Sequence, residues 1–158
     1  MVELPPRSPL PAGAVPGLDE LCLRTANRLG SPVALISLVD TEGQALPGAF
    51  GLAEPWMSER WTPLTHSFCQ HVVTSGEPFV VANAHDDPLV KKNLAIMELG
   101  VIAYAGVPLV AGDDGQVVGA LCAIDHKPRN WADEDVRELR ALSEEVGHQL
   151  GLLIKQRS

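Results

Sequence analysis

Three cysteines, Cys22, Cys69 and Cys122, and five histidines are the residues of this chain best suited to covalent, redox or metal chemistry. Cys69 has the most informative surroundings. It lies in Ser67-Phe68-Cys69-Gln70, and Ser-x-x-Gln is the capping-box pattern that opens a helix. A thiol in the first turn of a helix feels the positive end of the backbone dipole, which favours the reactive thiolate. Such a thiol would suit a redox sensor or a nucleophile. A structural reading stands beside it: Val72 and Val73, at i+3 and i+4, put Cys69 on a buried apolar stripe as an inert thiol. His71, two positions on, does not face Cys69 on a helix, so the two do not form a nucleophile and its base. Cys22 falls in a helical pattern and Cys122 in a strand pattern. An odd number of widely spaced cysteines is no disulfide framework and fits a reducing compartment. There is no C-x-x-C, H-E-x-x-H or phosphate-cradling glycine loop. No catalytic set and no metal site is assigned.

The elements that must position these residues follow from composition and periodicity. A chain of 158 residues, 46% hydrophobic, is the size of one domain and can bury a substantial core. A net charge of −8 and an isoelectric point near 5.0 argue against nucleic-acid and anionic-membrane surfaces, both of which select basic stripes. Lys91-Lys92 is too small a patch to alter that. No apolar run approaches the ~18 residues of a membrane helix, and no signal-peptide pattern opens the chain. These features describe a soluble cytoplasmic domain.

Residues 1–16 hold Pro5, Pro6, Pro9, Pro11 and Pro16 and read as an extended tail or linker, leaving 17–158 as the domain. Leu18, Leu21, Cys22, Thr25 and Leu29 form one helical stripe that Gly30 and Ser31-Pro32 terminate. Residues 33–40 are apolar on both faces, as in a central strand covered on each side. A turn at 41–43 leads to a weaker strand over 44–50, interrupted by Pro47. Residues 51–66 read as a long irregular loop in which Trp56 and Trp61 either form a lid or pin the loop to the core. A short helix from Phe68 ends at Gly76, and a strand spans 79–83. Asp87-Pro88 is a capping carboxylate before a helix that runs from Leu89 to Gly100. Strands over 101–110 and 116–125 form a hairpin through Asp114-Gly115, with Asp113 and Asp114 as solvated turn residues. The last helix runs from about Trp131 to Gln156, capped by Asn130 or Ala132. Its stripe is Leu139, Leu142, Val146, Leu150 and Leu153, and its excess length would pack on a second chain. Asp125 and Arg129 pair across the entry to it.

Four segments in this order resemble the GAF domain, a sensory module. They are Leu38-Val39-Asp40, Ser67-Phe68-Cys69, Tyr104-Ala-Gly-Val-Pro-Leu109, and Gly119-Ala-Leu-Cys-Ala-Ile-Asp125 followed by Pro128-Arg129. The resemblance covers residues 18–153 and is closest to the bacterial branch found in histidine kinases, serine phosphatases and cyclic-dinucleotide enzymes. It implies an α+β fold: a central antiparallel sheet, the N- and C-terminal helices on one face, and loops with short helices forming a pocket on the other. It implies a small-molecule pocket built by Phe68, His71, Asn83, Asp86, Asn93, Met97 and Tyr104. Each of these also has a structural reading, Asp86 as a turn residue, Met97 as core filler and Tyr104 as a core ring with a bonded hydroxyl.

The motifs name no cofactor. The signature of cyclic-nucleotide-binding GAF domains is absent, and the region 93–100 lacks the cysteine that bilin-binding relatives use. His71 and His85 are the possible haem donors, but a lone histidine is more often a hydrogen-bonded structural residue. The resemblance implies a non-catalytic sensory domain of bacterial signalling. An unidentified ligand shifts its conformational population, and the terminal helices pass that bias to a homodimer partner or a downstream domain. One alternative is a ligandless dimerisation module, with bulky side chains filling the space above Ala103 and Ala105. The other is a redox sensor or an enzyme like the free methionine sulfoxide reductases, acting through Cys69.

Overall fold

In the computed structural model, which describes residues 2–11, 13–111 and 114–157, the run Val33–Val39 forms a strand, β1, and all seven of its residues are buried. Such a strand must lie mid-sheet with a layer on each face. It pairs with β2 (Gly43–Phe50) on one side and with β6 (Val117–Asp125) on the other. Beyond β6 come β5 (Ala103–Val110) and β4 (Phe79–Val81), and β3 (Trp61–Pro63) edges β2. The order is β3-β2-β1-β6-β5-β4, antiparallel throughout. Pro47 does not break β2. The β1–β2 register shifts between Ile36 and Leu38, so Leu46 and Pro47 together face Ser37, and this bulge absorbs the residue that has no N–H.

Side-chain alternation then divides the core in two. Ala34, Ile36 and Leu38 of β1 share one face with Ala105, Val107, Leu109 and Leu121. Helices α1 (Leu18–Leu29) and α5 (Asp133–Arg157) cover that face. Val33, Leu35 and Val39 point the other way, with Tyr104, Ala120, Cys122 and Ile124. That face is covered by α3 (Cys69–Ser75), α4 (Ala95–Glu98) and the segment carrying α2 (Trp56–Glu59). The expected α+β layout is therefore the observed one.

Local signals place α1 well: it ends at Gly30 in the left-handed region, φ 65°. In α5 the stripe Leu139, Leu142, Val146 and Leu150 is buried, with Leu153 partly so. Arg24–Glu145 and Arg28–Glu138 ion pairs join the two terminal helices. No helix among the described residues is long and apolar enough to cross a membrane.

Several expectations need correction. The helix expected from Leu89 to Gly100 is a series of turns followed by the single-turn α4. Asp87 Oδ1 does accept the Leu89 amide at 2.9 Å. Asn93 then interrupts: its side chain accepts from the Ala95 amide at 2.9 Å and donates to the Ser67 carbonyl at 3.0 Å. Asparagine's competition for backbone groups stops one helix and caps another. Residues 51–66 are not irregular throughout, because they contain α2 and the edge strand β3. The cap of α5 is Ala132 and not the chemically better Asn130. The Ala132 amide donates back to Asp135 Oδ2 at 2.9 Å, so the carboxylate in the first turn does the capping. Asp125 and Arg129 are 3.7 Å apart, but Arg129 chiefly donates to the carbonyls of Leu29 and Gly30 while its guanidinium sits 4.2 Å from the Trp131 ring centre. It ties the end of α1 to the start of α5.

Residues 2–11 form no helix or strand, bend at 6–7 and 9–10, and lie along the domain. The Val2 amide donates to Thr74 O at 2.8 Å, the Thr41 amide to Pro5 O at 3.0 Å, and Leu10 is buried in the core under α1. Asp114 accepts from the Gln116 amide at 3.1 Å in the hairpin, and Asp113 lies outside the described residues.

Candidate functional site

On the face opposite α1 and α5 the sheet carries a cavity of about 10 Å³, room for about one water. Gln44, His66, Phe68, Cys69, Tyr104 and Cys122 supply its polar and aromatic lining, and aliphatic side chains the remainder. Tyr104 explains why it is small. Its ring, 1% exposed, lies back over its own strand, where a Cβ on Gly106 would come within 2.7 Å of it. Glycine at 106 is what lets the ring lie there. Phe68 and Phe79 pack tilted against it, with ring centres 5.3 and 5.8 Å away.

The Tyr104 hydroxyl donates to Cys69 Sγ at 3.0 Å, and Cys69 Sγ lies 3.9 Å from Cys122 Sγ. Burial raises the Tyr104 hydroxyl and the Cys122 thiol well above their ordinary pKa values. Cys69 moves the other way. The Cys122 thiol, and then Ser37 and Tyr104, stabilise its thiolate against the cost of burial. Cys22, in the other core, is pushed up to about 12 by burial.

The wall beside α4 is held by His66. Its Nε2 meets Glu98 Oε2 at 2.8 Å, its Nδ1 meets Thr65 Oγ1 at 2.9 Å, and Trp56 packs at 5.4 Å. Half of the expected capping box is formed at the head of α3. Ser67 Oγ accepts the Gln70 amide at 3.1 Å, but the Gln70 side chain turns to the carbonyls of Leu64 and Ser67, both at 2.7 Å. Ser67 Oγ also donates to buried Gln44 Oε1 at 2.9 Å. Ser67→Ala therefore removes a cap and strands a buried amide oxygen. It is expected to cost about 2 kcal/mol in urea denaturation, with no change in slope.

The wall also reaches around the sheet edge. Arg60, between α2 and β3, is 6% exposed and has φ 56°, a left-handed conformation rare for a residue other than glycine. Its Nη1 and Nη2 donate to the two carboxylate oxygens of Asp19 in α1, at 3.0 and 2.9 Å, and its Nε donates to Met57 O at 2.6 Å. One segment thus touches the cavity through His66 and the terminal helices through Arg60.

Of the seven residues expected to build the pocket, the structure brings Phe68 and Tyr104 to the cavity. The other five are not on its lining. His71 is half-buried and edge-on to Phe79 at 5.6 Å, and desolvation lowers its pKa. Asn83 caps a turn by accepting the His85 amide at 3.1 Å, and Asp86 is exposed. Asn93 holds Ser67 from outside. Met97 is 87% exposed, because the shortened α4 turns it to solvent. Ala105 belongs to the helix-covered core, so strand alternation makes Tyr104 the side chain that fills the pocket face. Gln44, His66 and Cys122 line the cavity although they are not among the expected pocket residues. A buried glutamine and a strand cysteine carry a local hint of function, but their convergence is set by pairings far apart in sequence. Among the described residues no group of three or more His, Cys, Asp or Glu is disposed to hold a metal.

The family model of the GAF domain matches residues 15–150. A cyclic di-GMP phosphodiesterase of Pseudomonas aeruginosa is 33% identical over 132 residues, which are 82% of this chain and 22% of that protein. The chain thus spans about a fifth of that relative's length. Among solved structures, the free methionine-R-sulfoxide reductase of Neisseria meningitidis in complex with its substrate superimposes with a TM-score of 0.67 at 19% identity. The match covers 89% of this chain and 79% of that one. The GAF domain of an Acinetobacter phosphoenolpyruvate-protein phosphotransferase gives 0.64 at 18% identity, covering 88% and 80%. At these identities the structural matches speak to fold.

Proposed function

The chain belongs to the GAF domain family, and from that premise we propose that it is a non-catalytic regulatory input of bacterial signal transduction. It binds a small molecule in the cavity under Tyr104 and signals through α1 and α5. The observation that carries this reading is the wall segment anchored at both ends. His66 lines the cavity, and Arg60 grips Asp19 of α1. A ligand entering against Phe68 and Tyr104 must displace the tyrosine ring and the His66 wall. That displacement reaches α1 through the Arg60 fork and α5 through the Arg24–Glu145 and Arg28–Glu138 pairs. Only differential binding to the two arrangements moves the equilibrium, and couplings of about 1–3 kcal/mol are usual for such devices. Asn93 acts here as a positioning residue, holding the Ser67 carbonyl at the head of α3. The output is a second copy docked on the terminal helices or an attached domain. The cyclic di-GMP phosphodiesterase relative supports an output of cyclic-dinucleotide chemistry.

The cavity volume favours a second reading, a module that dimerises without a ligand, since about 10 Å³ admits nothing larger than water as it stands. Native mass spectrometry of protein purified from bacterial cytosol, set against the denatured mass, separates the two. A reproducible extra mass that is lost on denaturation is the expected result. A bare dimer at every preparation, with no mass retained after incubation in a small-molecule extract, would replace the sensor with the ligandless module.

A further inference from the structure

Cys69 opens α3 and Cys122 lies within β6, 53 positions away, yet their sulfurs are 3.9 Å apart. The fold imposes this meeting. The β1–β6 register sets Cys122 opposite Leu35, facing the pocket, and α3 lies across that face. Both sulfurs border the cavity, whereas Cys22 sits in the opposite core. A disulfide holds its sulfurs at about 2.05 Å, so closure asks for an approach of roughly 1.9 Å, a modest side-chain and helix adjustment.

We propose that Cys69 and Cys122 are a peroxide-responsive dithiol, and that their oxidation to a disulfide releases Tyr104 and opens the cavity. This inference does not depend on the ligand-binding reading. Cys69 attacks an oxygen of the hydroperoxide. An S–O bond forms, the O–O bond breaks, and the departing oxygen leaves as water or alcohol with the former thiol proton. Cys69 is then a sulfenic acid. The Cys122 sulfur attacks the Cys69 sulfur, the S–S bond forms, the S–O bond breaks, and the hydroxyl leaves as water with the Cys122 proton. Two thiols lose two electrons in total and the peroxide gains them. The surroundings of Cys69 suit it to the first step: the Tyr104 hydroxyl donates to its sulfur at 3.0 Å, and Cys122 Sγ lies 3.9 Å away. After closure Cys69 is a poorer acceptor, and a buried hydroxyl without a partner is costly. The Tyr104 ring, which fills the pocket, is the part that must move.

The test uses the full chain, reduced and then treated under native conditions with hydrogen peroxide. The protein is unfolded in alkylating reagent, digested and mapped by mass spectrometry. A Cys69–Cys122 linked peptide is expected to dominate, with oxidation of Cys69 at least ~10-fold faster than that of Cys22. Tyr104 is the single tyrosine of the chain. Its ring NMR signals are expected to shift in step with the linkage and to return on adding dithiothreitol. Cys122→Ala is expected to stop at a Cys69 sulfenic acid that dimedone traps. Two results would overturn the proposal: all three thiols remaining reduced in excess peroxide, or linked peptides appearing only at denaturant concentrations that unfold the chain. Cross-linking without any change at Tyr104 would overturn its second half.

Discussion

Asp19→Ala should lower the stability of the domain by about 3 kcal/mol, more than Arg60→Ala, in urea denaturation followed by tryptophan fluorescence. The asymmetry follows from burial. The Arg60 side chain is 7% exposed and that of Asp19 45%. Removing the carboxylate leaves a guanidinium inside the protein with only the carbonyls of Met57 and Leu46 as acceptors. Removing the guanidinium leaves a carboxylate that water can reach, and which still accepts the Ala49 amide at 2.9 Å. Arg60→Ala also gives up a side chain held in a left-handed backbone conformation, for which alanine is no better suited.

The same pair makes an acid-sensitive contribution. The Arg60 guanidinium, with help from the Ala49 amide, holds the Asp19 carboxyl below its ordinary value of 3.8 against the opposing cost of burial. A carboxyl with a lowered folded value stabilises the protein at pH above 3.8. That stabilisation is lost as pH falls below 3.8 through the folded value. Asp19→Asn should therefore flatten this part of the acid limb of the stability curve, and an unchanged limb would remove Asp19 from the account. Arg60→Lys keeps the charge without the two-pronged geometry. Under the proposed function it should weaken transmission from the cavity to α1 while leaving ligand retention in place.

Gly119→Ala should be at least as damaging, about 3–4 kcal/mol, and in a tightly balanced domain that is enough to give insoluble protein. Gly119 lies in β6 between Leu38 of β1 and Leu109 of β5, at the centre of the sheet. A Cβ there would be driven onto the Ser37 carbonyl, 2.8 Å from its carbon and 3.0 Å from Leu38 Cα. These are backbone atoms of the neighbouring strand and have no rotamer to change. Relief requires β1 and β6 to part, which breaks the ladder that sets Cys122 opposite Leu35. Thermal unfolding by circular dichroism measures this directly. A melting temperature within a degree or two of the parent would show that the strands yield more cheaply than close packing allows.

The features settled within a few residues were legible in the chain. The stripe Leu18–Leu29 with Gly30 after it determines a helix and its end. The doubly apolar run at Val33–Val39 determines a covered central strand, and Asp114-Gly115 determines a hairpin. The terms involved, namely propensity, capping and periodicity, act over about one helical turn or one strand pair. The order of the four GAF-like segments carried the layout of the whole.

What lay beyond local reach was decided by packing. Asn93 broke an otherwise helical pattern because the Ser67 carbonyl, 26 positions earlier, was there to be bonded. The choice between Ala103, Ala105 and Tyr104 as occupant of the pocket face turned on strand parity. A period of two leaves parity open until the two faces of the sheet are distinguished. Arg60 reads as an ordinary loop cation until the chain turns the sheet edge and sets it on Asp19. Cys69 and Cys122 belong to separate patterns until the β1–β6 register and the seat of α3 bring their sulfurs together. A helix or strand is stabilised by its own neighbours in sequence. A site is assembled by contacts whose partners are chosen only when distant segments bury their apolar faces against one another.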